Sequence, residues 1–144
     1  DYFEIWISHG NAPVAETYEY VLLPAKSKEE TQAYAANPAI EIISNTKNIQ
    51  AVRHVVQDIS GYIFWEIGVC EDIEVYNPMA IMLRKYESKI CLAFSDPTHN
   101  QRKIEFRIRG QYKIEDQPCE ITVEVEEEYT LISCVPTENY GKSY

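Results

Sequence analysis

Residues 104–109 read Ile-Glu-Phe-Arg-Ile-Arg, an unbroken alternation of apolar and charged side chains. A repeat of two residues puts Ile104, Phe106 and Ile108 on one face and Glu105, Arg107 and Arg109 on the other, which is the pattern of a strand lying on a core. Runs of similar length and β character recur along the chain: Tyr2–Ser8, Tyr18–Leu23, Ile40–Ser44, Ile49–Val56, Tyr62–Ile67, Met79–Leu83, Lys89–Phe94, Ile121–Val125 and Tyr129–Val135. Short strands at such regular spacing predict an all-β, antiparallel sandwich architecture. The composition agrees, since aromatics make up 12% of the 144 residues, eleven of them Tyr, against only five Gly. Such a mixture suits half-buried pleated sheets.

Turn chemistry separates the runs. His9-Gly10-Asn11 ends the first, and Pro24, which cannot donate to a ladder, ends the second. Asn45-Thr46-Lys47-Asn48 joins the next two as a hairpin, because Asn tolerates left-handed backbone. Tyr62–Ile67 is apolar enough to predict burial on both faces, and Gly68 after it is taken as a domain boundary. Asp96-Pro97-Thr98-His99-Asn100 is the clearest turn of the second half. One helix interrupts the pattern. Ser27-Lys28-Glu29-Glu30 is a capping box that starts it and Asn37-Pro38 stops it, so a short helix is predicted near 27–36.

Charge excludes some partners. Twenty-three acidic against thirteen basic residues give a net charge of -10, which repels polyanions at long range and argues against nucleic acid. If an acidic polymer is bound, its cations must lie in a local patch or outside this stretch. No apolar run is long enough for a membrane-spanning helix. Asp1 opens with neither an initiator Met nor a signal-peptide pattern, and residues 139–144 read as a turn entering another strand; the chain is read as an excerpt. Cys70, Cys91, Cys119 and Cys134 lack the spacing of a zinc site, so no metal is expected, and disulfides and buried thiols both remain open.

Particular residues then narrow the reading. Tyr2-Phe3-Glu4-Ile5-Trp6-Ile7-Ser8-His9-Gly10, followed by Tyr18-Glu19-Tyr20-Val21-Leu22-Leu23-Pro24-Ala25-Lys26-Ser27, closely resembles the large β-sheet domain of polysaccharide lyase family 8, which includes hyaluronate, chondroitin AC and xanthan lyases. The likeness continues through Thr31–Pro38, Ile40–Thr46 and Gln50-Ala51-Val52-Arg53-His54. Beyond Gly68, Leu92–Thr98 is similar to a Ser-Asp-Pro-Thr turn of the small C-terminal sandwich of that family.

The resemblance implies an enzyme with a helical N-terminal part, a central β super-sandwich and a small C-terminal β-sandwich. Residues 1–68 would end the second part and residues 69–144 would form the third. It implies β-elimination from an acidic polysaccharide of hyaluronan, chondroitin or xanthan type: the uronate carboxylate is neutralised, the C5 proton is removed and the bond to O4 breaks. A Tyr, with Asn, His and Arg, performs this in the helical domain of the same polypeptide. None of those motif positions falls in this chain, so no catalytic residue and no cofactor is expected here, the isolated chain should be inactive, and the parent is expected outside the cell or in a periplasm.

The residues themselves offer weaker candidates, each with a plainer reading. His9 sits at a loop tip, where imidazole can serve as acid or base, yet a turn histidine bonded to backbone explains it; His54 in a strand and His99 in a turn fare no better. Trp6 and Trp65 suit stacking on sugar rings, and Tyr18, Tyr20 and Tyr62 are possible bases, but no cationic constellation surrounds them in sequence. Glu124, Glu126, Glu127 and Glu128 suggest a calcium cluster, though without a loop spacing to match. Arg107 and Arg109 share a strand face suited to a carboxylated sugar or, preferably, an acidic neighbouring domain. Substrate contacts are left unassigned. The competing reading is a carbohydrate-binding or structural sandwich with no enzymatic parent.

Overall fold

The computed structural model describes residues 4–100, 103–115 and 121–135. The chain divides into two compact units, Asp1–Pro38 and Ala39–Tyr144.

The first unit contains the helix α1, Lys28–Ala36. Its capping box is complete: the Ser27 hydroxyl accepts from the Glu30 amide at 3.2 Å, and the Glu30 carboxylate accepts from the Ser27 amide at 2.8 Å. Asn37 closes the other end by donating its amide to the Tyr34 carbonyl. No residue of α1 is buried, so the helix is a surface connection. The strands expected over Tyr2–Ser8 and Tyr18–Leu23 are not observed: residues 4–8 and 18–23 join no ladder, and Tyr2 and Phe3 lie outside the described residues. A strand is stable only against a partner, and among the described residues of Asp1–Pro38 nothing pairs with these segments. Ile5, Trp6, Tyr20 and Leu22 are accordingly exposed.

The second unit is a sandwich of two five-stranded sheets. Its strands are β1 (Ile40–Asn45), β2 (Ile49–His54), β3 (Ile59–Phe64), β4 (Gly68–Cys70), β5 (Ile73–Val75), β6 (Met79–Tyr86), β7 (Lys89–Ser95), β8 (Ile104–Arg109), β9 (Ile121–Val125) and β10 (Tyr129–Cys134). One sheet is ordered β1-β2-β3-β6-β7 and the other β4-β5-β8-β10-β9, all antiparallel. Gly68, read in the sequence as a domain boundary, falls inside this unit, at the point where the chain leaves the first sheet for the second. At Met79 it returns.

Alternation decides what is buried. Ile104, Phe106 and Ile108 of β8 point inward, as their spacing predicts, and are at most 2% exposed. They meet Phe64, Met79, Ile81, Leu83 and Phe94 from the facing sheet; Phe94 and Phe106 pack edge to face with centroids 5.0 Å apart. The run from Tyr62 is buried on one face rather than both: Tyr62 and Phe64 are inside, while Ile63 is 38% and Trp65 47% exposed. Thr130 is the buried polar group that closes one end of the core. Its hydroxyl donates to the Gly110 carbonyl and accepts from the Tyr112 amide, both at 2.8 Å. Gly110 holds φ at +112°, a conformation that favours glycine, and a Cβ there would stand 2.9 Å from the end of the Tyr112 ring, which would have to shift.

Candidate functional site

A polar cluster ties one sheet of the sandwich to the other. Inward-facing Arg53 of β2 reaches the β4–β5 turn, where its Nη2 lies 2.6 Å from each carboxylate oxygen of Glu71. The Tyr62 hydroxyl of β3 donates to Glu71 Oε2 at 2.7 Å, and Arg53 Nε donates to the Ser60 hydroxyl at 3.3 Å. Glu41 adds a looser contact, 3.4 Å from Arg53 Nη1. The turn that presents Glu71 is tight, with Glu71 itself at φ +52°.

The electrostatics follow from this geometry. Burial pushes the Glu71 carboxyl up, but hydrogen bonds from Tyr62 and Arg53, with the positive charges of Arg53 and Lys85, bring it below its ordinary value. The Arg53 guanidinium is held further towards its charged form by its hydrogen bonds to Glu71. Tyr62 is pushed up to about 12, first by burial and then by its bond to the Glu71 carboxylate. A tyrosine that abstracts protons needs its anion stabilised; Tyr62 has the reverse environment. The cluster is built as an inter-sheet clasp, a role that sequence spacing did not reveal.

Arg107 and Arg109 lie on the outer face of β8, as alternation predicts, but each meets groups of its own sandwich. Arg107 donates from Nε to Glu74 at 2.8 Å, with Nη2 2.7 Å from the same carboxylate, and stacks 4.1 Å above the Tyr129 ring. Glu126 stands 3.8 Å from its remaining nitrogen. Arg109 donates to the Tyr129 hydroxyl at 3.3 Å and lies 3.9 Å from Asp72. Arg107, read in the sequence as facing a carboxylated sugar or an acidic neighbouring domain, has its carboxylate partners on β5 and in the β9–β10 turn of this chain.

The other sequence candidates stay apart. His9 lies beside Tyr18, ring centroids 6.4 Å apart, and Tyr18 stacks on Tyr20. His54 ends β2 and accepts the Gln57 amide on Nδ1. His99 occupies a left-handed position in the turn that Asp96 organises by accepting from the amides of Thr98 and Asn100. Trp65 donates its indole N–H to Gln50 at 2.7 Å, and Trp6 is 79% exposed. Glu126, Glu127 and Glu128 lie in the β9–β10 turn, with Glu124 on β9, and among the described residues no group of His, Cys, Asp or Glu is arranged to hold a metal ion. Cys70 and Cys91 carry free thiols, the first pushed above its ordinary value by burial and by Glu71; Cys134 is buried in β10, and Cys119 lies outside the described residues. No helix among the described residues is long and apolar enough to cross a membrane.

Comparison with known proteins finds relatives of the chain among polysaccharide lyases. Residues 41–105 match the family described as polysaccharide lyase family 8, C-terminal beta-sandwich domain. A xanthan lyase of Bacillus sp. (strain GL1) is 38% identical over 101 residues, which cover 68% of this chain and 11% of that protein. Hyaluronate lyase HylB of Enterococcus faecalis is 31% identical over 114 residues, covering 78% of this chain and again 11% of the relative. Among solved structures, Paenibacillus xanthan lyase superposes with a TM-score of 0.77 at 25% identity, over 85% of this chain and 12% of its own. The chain thus spans about a tenth of the length of these relatives.

Proposed function

Residues 41–105 carry the C-terminal β-sandwich of polysaccharide lyase family 8, and from that premise we propose that the chain is the non-catalytic β-sheet portion of an exported lyase that cleaves an acidic polysaccharide by β-elimination at uronic acid. The observation that carries this reading is the 38% identity to a xanthan lyase over 68% of the chain. Our reading of where the preceding β-sheet domain ends and the small sandwich begins moves from Gly68 to Pro38–Ala39, and the division of the compact units there supports it.

A supporting role follows from the chemistry of the residues. Elimination needs a base for the C5 proton and positive charge on the uronate carboxylate. Tyr62 is pushed up to about 12 and faces a carboxylate, so it favours keeping its own proton. Arg53 and Arg107 are each paired with a carboxylate of their own sandwich, Glu71 and Glu74. With a chain charge of -10, a polyuronate gains little here. Proton abstraction and carboxylate neutralisation are assigned outside this chain, to the helical domain that the resemblance to the family implies, and the sandwich to supporting it.

The test is an assay of the 144-residue chain beside the longer polypeptide on hyaluronan, chondroitin sulfate and xanthan, reading the ultraviolet absorbance of unsaturated uronyl ends. The long form should generate product and the chain alone none. Turnover by the chain alone contradicts the placement of the chemistry.

A further inference from the structure

The chain changes sheets between Phe64 and Ile73, which are 0% and 1% exposed, and none of residues 65–72 between them is buried. Ile67 and Val69 stand 72% and 61% exposed. β4 lies inside this crossing as an edge strand of three residues, paired among the described residues with β5 alone. A segment with so little buried surface and so short a ladder belongs to the low-stability end of a fold. Its length also gives it slack. Packed sheets stand about 10 Å apart, whereas the chain from Phe64 to Ile73 spans up to roughly 30 Å when extended. Residues 66–71 can therefore lift away without drawing either anchor out of the core.

What holds the crossing down is polar. Glu71 accepts from the Tyr62 hydroxyl at 2.7 Å and from Arg53 Nη2 at 2.6 Å, and Glu66 accepts from Asn48 Nδ2 at 3.0 Å. Glu71 also keeps φ at +52°, a left-handed backbone that a residue with a side chain adopts at a cost and gives up when the turn is released. The groups left behind are not orphaned. Arg53 retains the Ser60 hydroxyl at 3.3 Å and Glu41 at 3.4 Å, and both members of the ion pair already touch solvent, Arg53 at 26% and Glu71 at 34% side-chain exposure. Release thus strands no buried charge, which is the usual reason such a pair stays shut.

We infer that residues 66–71 form a strap that opens and closes on a folded sandwich, with Glu71 as its latch on Arg53 and Tyr62. In the open form the backbone of the crossing meets solvent, β4 leaves β5, and the remaining strands of both sheets stay paired. Because the open form lacks the latch, as the unfolded chain does, weakening the latch lowers the free energy of local opening and of global unfolding alike. The strap is a property of the sandwich and does not depend on the lyase reading.

Native-state hydrogen exchange of the 144-residue chain, read by mass spectrometry in urea below the unfolding transition, tests the strap. Amides of 66–71 should exchange faster than those of β8 and with little dependence on urea, because opening exposes little surface, while β8 exchanges through an unfolding that urea promotes steeply. Glu71→Gln should speed exchange at 66–71 about 5- to 30-fold. Tyr62→Phe, which removes one donor and leaves the ion pair, should speed it by a smaller factor, and it carries the same comparison if Glu71→Gln does not fold. A urea dependence at 66–71 as steep as that of β8 overturns the strap, since the crossing then opens only with the whole sandwich. Exchange at 66–71 that neither variant changes overturns the latch.

Discussion

Arg53 and Glu71, eighteen residues apart in sequence, join the two sheets through a guanidinium nitrogen 2.6 Å from both carboxylate oxygens. The pair exists because β3 ends at Phe64 and the chain crosses to the opposite sheet within a few residues, so that the β4–β5 turn comes back over the start of the β2–β3 hairpin.

Removing one partner should therefore cost more than removing both. Glu71→Gln is expected to destabilise the sandwich by about 1–2 kcal/mol, towards the lower part of the range for charged hydrogen bonds because the Glu71 side chain is 34% exposed. Urea unfolding of Arg53→Met, Glu71→Gln and the double variant should show the double variant losing less than the sum of the two single losses. Additive losses would mean that the clasp contributes nothing of its own.

The same clasp sets two pH limits. Glu71 is held below its ordinary value of 4.5 in the fold, so its contribution is complete above that pH and is lost as pH falls through the lower folded value. Tyr62 is raised from 10.0 to about 12, so its contribution is complete below pH 10 and is lost as pH rises towards 12. The natural chain should exceed Tyr62→Phe in stability below pH 10, and the two profiles should converge as pH rises towards 12. A gap that does not close would show that Tyr62 ionises as freely folded as unfolded.

Two glycines should respond in opposite ways to alanine. Gly110→Ala forces a Cβ against the Tyr112 ring at φ +112° and should cost about 1–3 kcal/mol, read as a lowered melting temperature. Gly61→Ala places its Cβ 3.9 Å from Val52 Cγ2, with room to spare, and should leave folding unchanged or slightly improved.

Thr130→Val keeps the volume but strands the Tyr112 amide and removes the donor to Gly110, an expected loss of about 1–3 kcal/mol. Thr130→Ser retains both hydrogen bonds and should recover most of it in the same denaturant titration. Equal losses in the two variants would assign the effect to packing instead.

The range of each interaction decides whether the sequence discloses it. The hairpin of Ile40–Asn45 with Ile49–His54 is legible because strand chemistry and the Asn45–Asn48 turn are both local. The Ser27 cap is legible for the same reason. Tyr18–Leu23 has strand chemistry but joins no ladder, since pairing depends on a neighbour that propensity does not supply. β4 and β5, three residues each, are too short for alternation to register, so the passage from one sheet to the other at Gly68 is not legible in the sequence. The Arg53-Glu71-Tyr62 clasp depends on that crossing and is invisible without it. Alternation assigns Arg107 to the correct face, but its partner Glu74 sits on β5, which the spacing does not reveal.

The measurement closest to the central claim is product formation by the 144-residue chain and by its longer polypeptide on uronate-containing polysaccharides, followed by ultraviolet absorbance. Unsaturated uronyl ends from the long form alone are the predicted result; the same ends released by these β-strands in isolation would contradict it.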